Sequence, residues 1–198
     1  MKYTSQLTLK WLSAALLTAG LSQAIMAKPV SYKIDPTHTA TVFTWDHLGF
    51  STPSANFRDI QGTIQIDEDK PENSSVTVII PVSSVNTNVD ALDKEFQTAD
   101  WFNAAKYPNI SFKSTKVETQ DKKNFKITGN LTVKGITKPV VLNAVLNKKG
   151  VHPMTKVESV GFNAKASFDR SAFGIANYIP NVGDKIIVNI TTEASVAK

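Results

Sequence analysis

The chain has 198 residues, a net charge of +5 made of twenty lysines and two arginines against 17 acidic residues, and no cysteine. The lysines are dispersed without a dense basic run, which argues against nucleic acid as a partner. The lack of cysteine excludes a disulfide framework, so the fold must be held by packing alone.

The chain begins with a segment that is not part of the fold. Lys2 and Lys10 precede an uncharged apolar run at residues 11–21, and small residues follow at 22–27. A basic start, a short apolar core and small residues at the cut are the marks of a secretory signal peptide. The run falls short of the ~20 residues that cross a bilayer as a helix. Residues 1–27 are therefore read as a leader, cleaved after Ala27 or Ala24. Removing Lys2 and Lys10 with it lowers the net charge from +5 to +3. Residues 28–198 have the length of one domain with its own core.

Residues 38–47 alternate as a first strand, with Phe43, Trp45 and His47 on one face. Gly49 and Pro53 mark a loop over 48–56. A second strand follows at 57–67, with Ile60, Gly62, Ile64 and Ile66 in phase. The third, at 75–83, carries Val76, Val78, Ile80 and Val82, and Pro81 argues for an edge or an interruption there. The period then changes. Leu92 and Phe96 stand four apart among acidic residues and Lys94, which predicts a short amphipathic helix within 88–103, capped by Asn88 or Asp90. Trp101 and Phe102 follow it.

Residues 109–118 are a fourth strand, with Ile110 and Phe112 inward. Residues 125–146 read as a long antiparallel hairpin. Phe125, Ile127, Gly129, Leu131 and Val133 alternate on one arm, and Val140, Leu142, Ala144 and Leu146 on the other, around a turn at 134–138. Val141 and Val145 make the second arm's other face apolar too, so that face calls for cover by a lid, a partner or a second copy of the chain in a homodimer. Residues 157–169 and 184–196 are the seventh and eighth strands. Between them, 170–183 is a long loop rich in large apolar groups. Loops of that kind are often functional lids, the alternative being a plug over the core. Together these elements predict an all-β chain: an eight-stranded antiparallel barrel with one short helix and a long loop before the last strand.

Little of this composition suggests catalysis. His38, His47 and His152 lack the spacing of a metal site. There is no cysteine nucleophile and no G-x-S-x-G elbow. Asp90 and Asp93 read as a solvated helix face. Arg58 and Arg170, the only arginines, adjoin the two loops that would rim the barrel. Each is a candidate clamp for an acidic head group, or alternatively a structural partner of Asp59, Asp169 or a loop carbonyl.

The segments Y-K-I-D at 32–35, H-L-G-F at 47–50, F-R-D-I-Q-G at 57–62 and S-V-N-T-N at 84–88 stand in order along the chain. F-N-A-A-K-Y-P-N-I-S-F-K-S at 102–114, I-T-G-N-L-T-V-K-G-I-T-K-P-V at 127–140 and R-S-A-F-G at 170–174 complete the series. Each is weak alone, but seven in sequence resemble the YceI-like family, also called polyisoprenoid-binding proteins, over residues 32 to about 194. The resemblance implies an exported lipocalin-like barrel that holds a long isoprenoid or a quinone-like amphiphile in an apolar tunnel, without catalysis and without another cofactor. Many members carry a histidine and an R-D-x-H-L segment after T-N. This chain has Val89-Asp90-Ala91-Leu92-Asp93-Lys94-Glu95-Phe96 there, which leaves Arg58 and Arg170 as head-group candidates.

The residues expected to face the ligand are Phe43, Trp45 and His47 on the first strand, Phe50 in the loop after it, and Phe57, Ile64 and Ile66 on the second strand. They continue with Val78 and Ile80 on the third, Phe96, Trp101 and Phe102 around the helix, and Phe112 on the fourth. Leu131 and Leu142 come from the hairpin and Phe162 and Phe168 from the seventh strand. Phe173, Ile175, Tyr178 and Ile179 of the long loop are expected at the tunnel mouth. Small residues at Gly62, Gly129, Ala164 and Ala166 are expected to leave the void. The rival readings are a lipid-modifying enzyme and a protein-interaction module with a filled barrel.

Overall fold

Residues 28–196 are described in the computed structural model. The leader read in residues 1–27 and its cleavage site lie outside the described residues. Apolar–polar alternation resolves into strands β1 (Val30–Ile34), β2 (Ala40–Thr44), β3 (Ser54–Phe57), β4 (Gln61–Ile66), β5 (Ser75–Pro81) and β6 (Val85–Asn86). After the helix α1 (Asp90–Gln97) come β7 (Asn109–Thr119), β8 (Asn124–Val133), β9 (Ile136–Val151), β10 (Glu158–Asp169) and β11 (Lys185–Val196).

All pairings are antiparallel. The ring β1-β4-β5-β7-β8-β9-β10-β11 closes on itself through β1 and β11, giving the expected eight-stranded barrel. Strand β11 divides one edge between two partners: its residues 194–196 pair with β1, and 187–191 with β2. Strands β3 and β6 extend the sheet beyond β2.

The early strands differ from the alternation pattern because local turns break them. A 3-10 turn at Pro36–His38 separates β1 from β2, capped by Asp35, which accepts from the Thr37 amide at 2.8 Å. Strand β1 is thus a separate piece before the one expected. The expected loop at 48–56 contributes β3, and Asp59 (φ 56°) interrupts the run into β4. Strand β5 ends at Pro81. The helix is capped differently from expectation. Its N-cap is Val89, whose side chain cannot accept a hydrogen bond, and Asp93 accepts instead from the Thr87 amide and hydroxyl, both at 2.6 Å. Asp93 is therefore a structural acceptor and not merely part of a solvated face.

The β8–β9 turn has two residues, Lys134 and Gly135, both at positive φ (50° and 75°). That is the signature of the type I′ turn whose twist matches a hairpin. Pro139 sits inside β9 and pairs with Asn130 of β8. Strand β9 meets β10 only from Asn143 onward, so Pro139 has no neighbour on its other side and the missing N–H is tolerated there.

The interior divides in two. A large cluster built on Phe43, Trp45, Phe57, Phe96, Phe173 and Val188 fills the end nearest α1 and the long loop. A smaller one, of Tyr32, Ile34, Val160 and Ala194, closes the other end. Tyr32 is fully buried, and its hydroxyl donates to Glu158 Oε1 at 2.7 Å. That carboxylate also pairs with Lys149 at 3.1 Å, and Lys149 in turn holds Glu68.

Candidate functional site

Between the two clusters lies a cavity of about 240 Å³. It is built by parity: Phe43 and Trp45 on and just past β2, Ala164, Ala166 and Phe168 on β10, and Ile186, Val188 and Ile190 on β11 all point inward. Among the described residues, thirty of the 34 side chains lining it are apolar, and the other four are Thr39, Thr41, Thr192 and Arg170. No carboxylate or imidazole lines it. Nor do any three His, Asp or Glu side chains of the described residues converge as metal ligands.

Most of the expected ligand-facing residues lie on this wall. Phe43, Trp45, Phe57, Ile64, Val78, Ile80, Phe112, Leu131, Leu142, Phe162 and Phe168 line it from the strands. Phe96, Trp101 and Phe102 line it from α1 and the segment after it, and Phe173 and Ile175 from the long loop. At the helix end the aromatics form a connected cluster. Phe43 stacks on Phe57 at 5.4 Å, Phe96 meets Trp101 at 4.9 Å, and Phe102 sets its edge to Phe57 at 5.7 Å.

Five of the expected residues lie elsewhere. Strand β2 ends at Thr44, so its alternation does not carry as far as His47, which is exposed and bridges through its backbone to Ser51 and Val182. Phe50 is 91% exposed, because Leu48 and Gly49 at positive φ turn the chain outward just before it. Ile66 packs on the small cluster around Tyr32, beyond the cavity. Tyr178 is 66% exposed, its ring 6.4 Å from Trp101 on the outer side, and Ile179 is exposed beside it.

The two arginines also part company. Arg58 is exposed and off the cavity wall, and its amide donates to the carbonyl and hydroxyl of Ser84. Arg170 is 5% exposed and reaches the cavity wall. Its guanidinium donates to the carbonyls of Gly183 (2.9 Å), Ile175 (3.0 Å), Asn177 (2.8 Å) and Val182 (2.8 Å). Four of its five N–H groups thus organise the long loop, which is the loop-carbonyl alternative of the two readings of this side chain. Burial lowers its pKa from the usual value, and Asp184 acts against that.

The void does not arise at the glycines. A Cβ on Gly129 would lie 2.3 Å from the Phe112 ring, and one on Gly62 would lie 2.2 Å from the Thr77 carbonyl. Neighbours already occupy both places. Two of the three alanines on the cavity wall, Ala144 and Ala164, instead share one rung with Ile190 and Thr41, successive partners across β9, β10, β11 and β2. Ala144 and the three threonines were legible by parity, since Thr39 and Thr41 share the phase of Phe43. Residue type hides them, because threonine in an alternating strand reads as the solvent face.

The outer face of this wall carries a second, open concavity of about 970 Å³, lined among others by Val42, Asn143, Val145, Asn163 and Asn189. Val145, expected to need cover, lies in it partly exposed.

Comparison with known proteins bears on the whole of this architecture. The model of the YceI-like domain matches residues 32–194. A UPF0312 protein of Photorhabdus laumondii is 36% identical over 180 residues, covering 90% of each chain. The crystal structure of a Campylobacter jejuni YceI protein superposes with a TM-score of 0.70 at 32% identity, covering 77% of this chain and 90% of that one. A polyisoprenoid binding domain from Saccharophagus degradans shares the fold at a TM-score of 0.63 and 12% identity, covering 85% of this chain and 99% of that one.

Proposed function

This chain belongs to the family of YceI-like domains, and from that premise we propose that it is an exported, non-catalytic carrier of a polyisoprenoid or similar long amphiphile. The observation that carries the reading is the cavity wall, apolar at thirty of 34 positions and framed by a closed barrel. Each methylene moved from water into such a wall contributes about 0.8 kcal/mol. A long chain therefore binds tightly through length and shape with few polar contacts. The polyisoprenoid binding domain of like fold supports the same ligand class.

Binding without turnover accords with the lining, which offers no carboxylate or imidazole for proton transfer. Export to the periplasm is supported by the basic start and apolar run of residues 1–21. The cavity is somewhat smaller than the ~300–1,000 Å³ of ordinary small-molecule sites. A long isoprenoid would therefore have to press its aromatic cap outward on entry.

The test is native mass spectrometry of the protein secreted by a Gram-negative host, followed by organic extraction. The expected result is a chain shortened at its N-terminus, recovered from the periplasmic fraction with a long-chain lipid of defined mass. A lipid-free protein that also fails to take up an added isoprenoid would instead favour the filled-barrel interaction module. Chemical conversion of the added lipid would favour the enzyme.

A further inference from the structure

The carrier reading leaves unassigned the large apolar side chains that face water around the mouth of the barrel. Leu48 and Phe50 stand on the turn after β2, Tyr178 and Ile179 on the long loop, and Ile136 just past the β8–β9 turn, all of them exposed. The tips are tied into one rim. The Leu48 amide donates to the Asn181 carbonyl at 2.8 Å, and His47 pairs with Val182. The Asn177 side chain donates to the Asp100 carbonyl at 3.1 Å, and Lys134 reaches that carbonyl at 3.4 Å and the Gly174 carbonyl at 3.3 Å. Two of the tips are held outward at a cost. Leu48 and Tyr178 have φ of 61° and 63°, the left-handed region that bulky side chains avoid. Asp46 fixes the first of them by accepting from the Gly49 amide at 3.0 Å. Stability alone does not call for leucine or tyrosine at such positions, since glycine or asparagine adopts that conformation more freely. Strain of this kind marks a place where the side chain is wanted.

What the rim meets follows from where it leads. Val182 and Trp101 line the cavity itself, and Tyr178 lies 6.4 Å from the Trp101 ring on its outer side. The exposed tips thus carry the apolar lining of the cavity out to the surface. Both signs of charge flank them, Asp46, Glu95 and Asp100 as well as Lys106 and Lys134, so the rim has no basic field to draw an acidic partner. Separate turn tips enter a fluid acyl layer one by one, whereas a rigid protein partner has to match their spacing. The opposite end also exposes Val151 and Met154, but there the Tyr32 cluster and the pairing of Lys149 with Glu68 and Glu158 close the barrel.

Resting on the carrier reading, we propose that Leu48, Phe50, Ile136, Tyr178 and Ile179 form a membrane-docking rim. It seats the mouth of the barrel on a bilayer surface, with Leu48 and Phe50 among the acyl chains and Tyr178 at the level of the headgroups. A lipid then passes between bilayer and cavity beneath the aromatic cap without crossing water.

The test is co-flotation with vesicles of phosphatidylcholine, which carry no net charge, at low and at high salt. Cargo uptake is read separately, from an isoprenoid alcohol delivered in cyclodextrin with no vesicle present. The wild type should float at either salt concentration. Phe50→Ser should weaken vesicle binding about tenfold or more. Leu48→Asn should also weaken it while stability holds or rises, because asparagine tolerates the left-handed turn. Neither change should alter uptake from cyclodextrin. Met154→Ser, which removes a side chain 85% exposed at the far end, should float like the wild type. A wild type that takes up the alcohol yet floats on no vesicle overturns the rim and leaves the carrier intact. Flotation that survives both rim changes, or that vanishes at high salt, does the same. A dimer broken by Phe50→Ser in sedimentation equilibrium, with no flotation, gives the rim to a second copy of the chain instead. A wild type that takes up no alcohol overturns the carrier reading, and the rim with it. If one rim variant fails to fold, the other decides.

Discussion

Arg170 shows how one side chain can look like a ligand clamp in sequence and serve as a structural post in the fold. Its four carbonyl partners span residues 175–183, so the guanidinium replaces the secondary structure that this loop lacks. Replacing Arg170 with Gln leaves several of those carbonyls unpaired, and the expected cost is about 2–4 kcal/mol by urea denaturation. Charged and neutral lipids should then weaken alike. A loss confined to phosphorylated isoprenoids would return Arg170 to a head-group role. Tyr32 invites a second measurement. Burial, and then its hydrogen bond to Glu158, push the phenol up to about 12. Below pH 10 the phenol is neutral in both folded and unfolded chains. Between 10 and 12 only the unfolded chain ionises, so stability falls as pH rises, by on the order of 2 kcal/mol. Lys149, raised chiefly by its hydrogen bond to Glu68, loses its contribution in the same direction from about pH 10.5 upward, so part of its loss falls in the same window. Tyr32→Phe should therefore make the stability profile shallower between pH 10 and 12, read by denaturation at each pH. An unchanged slope would place the alkaline loss elsewhere.

Among the elements, the loop between β10 and β11 is best understood from the gap it fills. Strand β9 has no β10 partner before Asn143, and β10 after Lys165 has only β11. The barrel wall parts there. The 3-10 turn Arg170–Phe173 brings Phe173 into the interior, 5.4 Å from Phe168, with Ile175 buried after it. The loop is thus two things in sequence: an inner stopper at 173–175 and an outer rim at 178–179. Phe173→Ala should cost about 3–5 kcal/mol and shorten the retention of bound lipid. The double change Tyr178→Ser and Ile179→Ser should move stability by less than about 1 kcal/mol and leave retention near wild type. Lipid release from preloaded protein checks both, and equal release by the two variants would make the whole loop one lid.

At the scale of the molecule, closure of the ring through β1 and β11 removes the sheet's free edges from the barrel and walls off an apolar interior. The Tyr32 cluster stops one end and the aromatics around Phe96 cap the other, so the space between them is set by side-chain size at a few rungs. Ala164 is one such position. Ala164→Leu fills room otherwise open to about three methylenes of ligand, and should weaken isoprenoid binding by about 2 kcal/mol, roughly thirtyfold. Thermal stability should hold or rise, since the added carbons occupy a void. Binding that is unaffected would mean the ligand lies outside this cavity.

The barrel was legible in the sequence because strand alternation is a local property. From β7 onward the strands are each ten residues or longer, and only bulges in the β7–β8 and β9–β10 pairs shift their register. It was less legible at the start, where the turns at 36–38 and 58–60 cut long strands into β1 to β4 and reset the count. His47 and Phe50 fall outside the wall for a related reason: β2 stops at Thr44 and the chain turns outward at Leu48 and Gly49, although Trp45 still lies on the wall. Three matters were settled only by tertiary structure: which glycines are filled by neighbours, where Arg170 spends its hydrogen bonds, and that Thr39 meets Thr192 from 153 residues away. Alternation tells a side chain which way to face. It cannot tell what waits on the other side of the barrel, because that depends on strand register and closure, which join residues far apart in the chain.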